Sequence, residues 1–240
     1  MNSLKGKKAL VTGGASGIGR AISLELAGLG ADVCVHYRSS REQAEETVDT
    51  INATGGRSFA IQADLTIEED VKALFRRLTD EFGRLDVLVN NAGASVFKSF
   101  MDSTPQDFDQ LTATNLRGPF LCTHAVLPDM LERKSGIVVM INSMAARQVF
   151  PDSSIYAATK GGLKNMTDCL RSEVRKSGIR VLSVYPGATR TEIWPERVLE
   201  KHGHKMMGPE DVAQAVINAC TAAPHVLIED IVMQPIGGGI

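Results

Sequence analysis

The chain has 240 residues, 43% of them hydrophobic, enough to fill a continuous core, and its length suits one large α/β domain over 1–240 better than two ordinary ones. Its 26 basic and 28 acidic residues nearly balance, so no bulk charge draws it to nucleic acid or to an acidic membrane, and small molecules are the expected partners. The scattered Cys34, Cys122, Cys169 and Cys220 lack any C-x-x-C spacing and read as reduced core thiols, with no disulfide framework and no metal site.

In chain order, Met1 to Lys8 carries lysines but no long apolar segment or cleavage signal. No apolar run approaches bilayer length, so a cytoplasmic protein without membrane association is expected. Short β-branched runs then alternate with longer stretches of helical periodicity, the pattern of βαβ units. Strands are expected near Lys7 to Val11, Asp32 to Tyr37, Ser58 to Gln62, Val87 to Asn90, Ile137 to Ile141, Arg180 to Tyr185 and Val226 to Met233. Several are apolar throughout, as in central parallel strands covered on both faces. The expected fold class is therefore α/β, a doubly wound, seven-stranded parallel sheet with helices on both faces.

The intervening helices announce their ends. Thr66-Ile67-Glu68-Glu69 has capping-box spacing, and the run it opens stops at Phe82-Gly83, a typical glycine terminator. Pro209-Glu210-Asp211 opens a late helix with proline in its first turn and acids against the positive end of the dipole. The least regular stretch, Glu192 to Gly208, holds the only tryptophan, Trp194, with Pro195 and two histidines; flexibility or substrate contact is expected there.

The first strand runs into Thr12-Gly13-Gly14-Ala15-Ser16-Gly17-Ile18-Gly19, and the amphipathic stretch Arg20 to Leu29 follows at once. Strand, glycine turn and helix in this order suit a pyrophosphate, because backbone N–H groups can approach it where no Cβ intervenes and a helix N-terminus points at it. A glycine-rich turn alone is also compatible with a tight turn that binds nothing.

The spacing Thr-Gly-x-x-x-Gly-x-Gly resembles the nucleotide signature of the short-chain dehydrogenase/reductase family. That resemblance implies a Rossmann-like fold, a nicotinamide dinucleotide held at Gly13, Ser16, Gly17, Ile18 and Gly19, and hydride exchange with a carbonyl or alcohol. Asn90-Asn91-Ala92-Gly93, ending the fourth expected strand, is similar to the family's second signature and implies Asn91, Ala92 and Gly93 beside the cofactor. Asp64, followed by Leu65, matches the position that meets the adenine amino group. Pro186-Gly187, with Thr189 and Thr191 downstream, resembles the segment that closes over the nicotinamide. The match runs through nearly the whole chain in the right order.

Tyr156-Ala157-Ala158-Thr159-Lys160 places a phenol and an ammonium on one face of a helix. A carbonyl receiving hydride needs a proton, and a tyrosine with pKa near ~10 is a sluggish donor at neutral pH. One positive charge about 4 Å away is worth roughly 4 kcal/mol at an effective dielectric of 20, or about three pKa units. By the resemblance the lysine would act at longer range through the ribose hydroxyls, while oxidised nicotinamide adds its own charge. Ser143, after the fifth expected strand, sits where the family's serine would hold the substrate oxygen, although the neighbouring Asn142 is less usual there than a small residue. Asn115 resembles the family asparagine whose carbonyl positions a water linking the lysine to solvent. Each residue alone has an ordinary structural explanation; the conjunction of Asn115, Ser143, Tyr156 and Lys160 points to catalysis.

The second expected strand ends in His36-Tyr37-Arg38-Ser39. By the resemblance, Tyr37 occupies the acid position of NAD readers and Arg38 the arginine position of NADP readers, which favours NADP with NAD as second choice. Ser16, where many NADP-preferring relatives carry a second basic residue, tempers the preference. The five histidines read as surface or packing residues, with substrate contact left open for His202 and His204. The stripe of Leu163, Met166 and Leu170 reads as core or subunit interface.

A ketone or aldehyde of modest size is expected between Ala94 to Phe97, Met144 to Phe150 and the Trp194 region, with Phe97, Met144, Val149, Phe150 and Trp194 offering apolar contact. Within the family the general likeness is to reductases of the 3-oxoacyl-carrier-protein kind, but the ending Val226 to Pro235 departs from theirs. Relatives commonly form homodimers or homotetramers through the helices bearing Asn115 and Tyr156, and the same is expected by analogy. Two other readings are a dinucleotide-sensing binding protein without turnover, against which the intact proton relay speaks, and an epimerase or dehydratase, which would need a larger C-terminal substrate region.

Overall fold

The computed structural model of the chain describes residues 4–239; Met1, Asn2 and Ser3 of the N-terminal stretch discussed above lie outside the described residues. The strands are β1 (Lys8–Val11), β2 (Asp32–Tyr37), β3 (Ser58–Gln62), β4 (Val87–Asn90), β5 (Gly136–Ile141), β6 (Ile179–Pro186) and β7 (Asp230–Met233). They form one seven-stranded, wholly parallel sheet in the order β3-β2-β1-β4-β5-β6-β7. The helices are α1 (Gly17–Gly28), α2 (Arg41–Ala53), α3 (Glu68–Phe82), α4 (Pro105–Thr112), α5 (Gly118–Arg133), α6 (Ser154–Val174), α7 (Glu196–His202) and α8 (Pro209–Cys220).

Continuous apolar runs make sense here because alternate residues of one strand enter two different cores. Ala9 and Val11 of β1 and Val87 and Val89 of β4 pack on one face with Ile22 and Leu26 of α1, Ile51 of α2 and Val216 of α8. Leu10 and Leu88, between them in sequence, face Leu74 and Leu78 of α3, Val126 and Met130 of α5 and Leu163 of α6 on the other side. Met166 and Leu170, partly buried, pack beside Leu163 at the margin of that second core, so Leu163 of the α6 stripe is core and the other two flank it.

The structure corrects several boundaries. Thr66 does not cap α3: its N–H and hydroxyl both go to Asp64 Oδ1, at 2.9 and 2.7 Å, and Ile67 takes the N-cap position with no side-chain cap. The acids Glu68, Glu69 and Asp70 in the first turn supply the dipole compensation instead, and the glycine stop holds, since Gly83 takes φ 74°. A true capping box opens α4, where Thr104 and Asp107 bond each other's backbone N–H groups. α1 starts at Gly17 rather than Arg20, and β7 starts at Asp230 rather than Val226. The stretch from Glu192 to Gly208 is less irregular than its sequence suggests, because it contains α7. Cys34, Cys122 and Cys220 are buried thiols, but Cys169 lies exposed on α6, on the turn face that the core does not cover.

The end of β2 is tied to its neighbours by His36, which is 2% exposed. Its Nδ1 accepts from the Gly13 N–H at 3.1 Å and its Nε2–H donates to the Ala63 carbonyl at 3.0 Å. Those partners fix the neutral tautomer, since an amide N–H can only donate and a carbonyl only accept. Burial pulls the imidazole pKa down from 6.5 to about 4. The unfolded chain therefore binds a proton that the fold refuses, and stability is full above the ordinary value and falls as pH drops through 6.5 toward 4. We predict that the native chain loses roughly 3 kcal/mol across that window relative to a His36→Asn variant. Urea denaturation at a series of pH values checks this; parallel profiles for the two proteins would contradict it.

Candidate active site

The strand order reverses between β1 and β4, and such a switch point leaves a crevice beyond the carboxyl ends of the strands. A cavity of about 840 Å³ opens there. One end is formed by the glycine turn. Thr12 Oγ1 accepts from the N–H groups of Asn91 and Ala92 at 2.9 and 3.0 Å, and Asn91 Nδ2 donates to the carbonyls of Thr12 and Gly13 at 2.9 and 3.1 Å. The turn after β1 is thereby locked to the end of β4. Gly13 and Gly17 take positive φ, and a Cβ on Gly19 would collide with the Gly13 carbonyl and the Asn91 amide. Ser16 occupies the N-cap of α1 without a side-chain cap, so the first N–H groups of that helix are left for an anion. This cradle fits a dinucleotide pyrophosphate.

Of the residues singled out in the sequence, Gly13, Ser16, Gly17, Ile18, Arg38, Asp64, Leu65, Asn91, Ala92, Gly93, Ser143, Tyr156, Lys160, Pro186, Gly187, Thr189 and Thr191 all line this one cavity. Gly19 and Asn115 are not part of the lining; each supports residues that are. Arg38 is exposed beside Ser39 and Ser40. Asp64 is held below the usual carboxylate range chiefly by the Thr66 hydroxyl, with the Arg38 charge a smaller cause.

At the other end, Ser143 lies two residues past the end of β5, and Tyr156 and Lys160 lie one turn apart near the start of α6. Ser143 Oγ accepts the Ala145 N–H at 3.1 Å, and its hydroxyl favours the ionised form of the Tyr156 phenol across the same cavity. The Lys160 ammonium, 5% exposed, donates to the Ile141 carbonyl at 3.0 Å and stands 5.8 Å from the centre of the Tyr156 ring. Among the described residues no carboxylate pairs with it, and burial pulls its pKa down to about 8.

The effect on the phenol differs from the sequence expectation. Burial raises the Tyr156 pKa above the ordinary tyrosine value, opposed by the Ser143 hydroxyl. The lysine stands 5.8 Å from the ring centre and is not among the causes that lower the phenol's pKa; Ser143 alone opposes burial and does not outweigh it.

Asn115 lies in a π-helical turn, Ala113–Arg117, between α4 and α5, a distortion that recurs at functional sites. Its side chain is fully buried and fully used: Nδ2 donates to the Ala94 carbonyl at 2.9 Å and to Thr159 Oγ1 at 3.1 Å, while Oδ1 accepts the Ala94 N–H at 2.8 Å. It pins the loop after β4 against α6.

Ala94, Ser95, Phe97, Met144, Ala145 and Phe150 line the cavity as anticipated, whereas Val149 is 95% exposed and does not. His202, which ends α7, and His204, in the short 3-10 turn after it, also lie outside the lining. Trp194 does line it, its Nε1–H donating to the Thr189 carbonyl at 3.0 Å. Sequence reasoning missed His36 and Gln234. The first is a lone histidine on an apolar strand, and the second lies past the last strand where no motif marks it.

Residues 7–202 match the family model described as short chain dehydrogenase. The chain is 41% identical over 181 residues, 75% of this chain and 74% of the other, to the 3-oxoacyl-acyl-carrier-protein reductase FabG of Staphylococcus aureus. It is 35% identical over 237 residues, 96% of this chain and 97% of the other, to sepiapterin reductase of Chlorobaculum tepidum. A short chain dehydrogenase from Burkholderia cenocepacia, solved in complex with NADP, superimposes with a TM-score of 0.87 at 33% identity over 98% of each chain. No helix among the described residues is long and apolar enough to cross a membrane. The chain belongs to the short-chain dehydrogenase/reductase family and is an oxidoreductase that uses a nicotinamide dinucleotide on the carbonyl/alcohol pair.

Proposed function

We propose that the chain exchanges a hydride between NADP(H) and a ketone or aldehyde, with Tyr156 as general acid/base. The observation that carries this reading is the convergence of Ser143, Tyr156 and Lys160 at one end of a cavity whose other end is the glycine turn. When bound, the dinucleotide supplies the hydride donor or acceptor and, in its oxidised form, a positive charge.

The protein's part is binding, orientation and proton handling. The α1 N-terminus and the turn amides would hold the pyrophosphate, Asp64 and Leu65 the adenine, Asn91 to Gly93 the adjoining ribose, and Pro186 to Thr191 the nicotinamide. Lys160, an ammonium with a single carbonyl partner, has donors to spare for ribose hydroxyls. Ser143 Oγ–H donates to the substrate oxygen, and Tyr156 Oη passes its proton to that oxygen as alkoxide character develops. The proton is replaced through Lys160 and the backbone of the Asn115 turn.

Arg38, exposed at the turn end of the cavity with no carboxylate partner among the described residues, supports NADP over NAD through charge-assisted bonds to the 2′-phosphate. The NADP bound by the Burkholderia cenocepacia neighbour agrees with that preference. The same reading takes 1–240 as one catalytic domain that works as a homodimer or homotetramer. Phe108 on α4 and Phe120 on α5, 51% and 48% exposed, offer apolar surface for such an assembly.

Following nicotinamide absorbance with NADPH and NADH against assorted ketones, aldehydes and quinones tests this directly. Tyr156→Phe should lose roughly 100-fold or more in kcat while keeping dinucleotide affinity; binding without any turnover in the native chain would instead favour a sensor. Arg38→Asp should shift the NADPH/NADH ratio of kcat/KM by about tenfold or more toward NADH. An unchanged ratio would refute the role given to Arg38.

A further inference from the structure

The substrate end of the cavity is built from aromatic rings. Phe97 and Trp194 stack almost in parallel, with centroids 5.4 Å apart and planes inclined by 6°, and the Phe97 ring centre lies 6.4 Å from that of Tyr156. A flat group attached to a carbonyl held at Tyr156 therefore has the Phe97 ring, backed by Trp194, as an aromatic surface within reach. The indole is not free to turn aside, because its N–H is committed to the Thr189 carbonyl at 3.0 Å. Phe97, although 43% exposed, and Phe150, 36% exposed, both line the same cavity. Apolar rings left open at a cavity mouth are surface that a ligand covers.

Charge narrows the ligand further. The charged residues lining the cavity are Arg38, Asp64, Lys160 and Glu192. Arg38 and Asp64 flank the glycine turn, and the Glu192 carboxylate lies near Gly17 at that same end. Only Lys160 is near the reacting phenol, and it is buried, over the phenol's ring. A substrate bearing a carboxylate or phosphate would find no counter-charge beside the aromatic pair. The polar groups available there are neutral, among them Ser95, Ser153 and Gln234.

Resting on the reductase reading above, we infer that the substrates are uncharged, planar carbonyl compounds whose carbonyl is conjugated to a ring, and that Phe97 and Trp194 select them by stacking. An extended acyl thioester on a phosphorylated arm fits this end of the cavity poorly.

The test pair is α-tetralone and α-decalone, which share a bicyclic skeleton but differ in that one carries a flat conjugated ring. Conjugation lowers intrinsic electrophilicity, so a preference for the flat ketone has to come from the site. With NADPH, kcat/KM for α-tetralone should exceed that for α-decalone by about tenfold or more. Phe97→Leu and Trp194→Leu should each bring the ratio toward one, and Phe97→Tyr and Trp194→Phe, which keep a ring, should restore it. Because Trp194 is the only tryptophan, its fluorescence reports contact without turnover: α-tetralone should quench it saturably and α-decalone should not. Equal kcat/KM for the two ketones, or a ratio untouched by both leucine variants, would overturn the inference while leaving the reductase reading intact. Selective quenching without turnover of either ketone would uphold the stacking site and count against the reductase reading; absence of both turnover and selective quenching would overturn the inference.

Discussion

A lysine ammonium stripped of water and given one carbonyl as partner is a costly thing to build, and the rest of the site is arranged around it. Lys160 is 5% exposed, donates to the Ile141 carbonyl at the end of β5 and stands over the Tyr156 ring. An unpaired buried charge is tolerated only where something else supplies the missing interaction. In the proposed mechanism ribose hydroxyls do so, which makes dinucleotide binding and the placement of the phenol one event. The β5 and α6 cores hold that geometry: Val138 and Met140 of β5 pack with Leu163 of α6, so the serine, the tyrosine and the lysine are carried by elements that cannot move independently.

The opposite end of the cavity obeys the same economy. Thr12, Asn91 and His36 bind the glycine turn from below through backbone groups, leaving the outward N–H groups of α1 unused by protein. His36 does this as a neutral base, and its burial keeps it so at physiological pH. The two ends are linked through β4, whose terminal loop is pinned to the turn by Asn91 and to α6 by Asn115.

Much of this was readable from the sequence because the chain's local signals agree with its fold. Apolar runs of the right length gave all seven strands, with β7 overextended by Val226 to Glu229, which are apolar enough for a strand but find no ladder partner outside Glu229's own contact with Ser183. Motif spacing brought nearly every candidate residue to one cavity. Features that depend on three-dimensional neighbours were not readable. Thr66 has the residue type and spacing of a cap but is captured by Asp64; His36 looks like any strand histidine until Gly13 and Ala63 are placed around it. The phenol's ionisation is of the same kind, since spacing gives the lysine's position along the helix but not its depth or its distance from the hydroxyl.

In the protein alone, burial holds the Tyr156 phenol above the ordinary tyrosine value, and the mechanism requires the dinucleotide's charge, positioned by Lys160, to bring it down. With three tyrosines in the chain, isotope-labelled tyrosine resolves Tyr156 by NMR. A titration should place its ionisation above that of an ordinary tyrosine in the free protein, markedly lower with oxidised NADP, and much less lowered in Lys160→Met. A phenol whose ionisation is unmoved by the oxidised dinucleotide in the native chain would contradict the central claim.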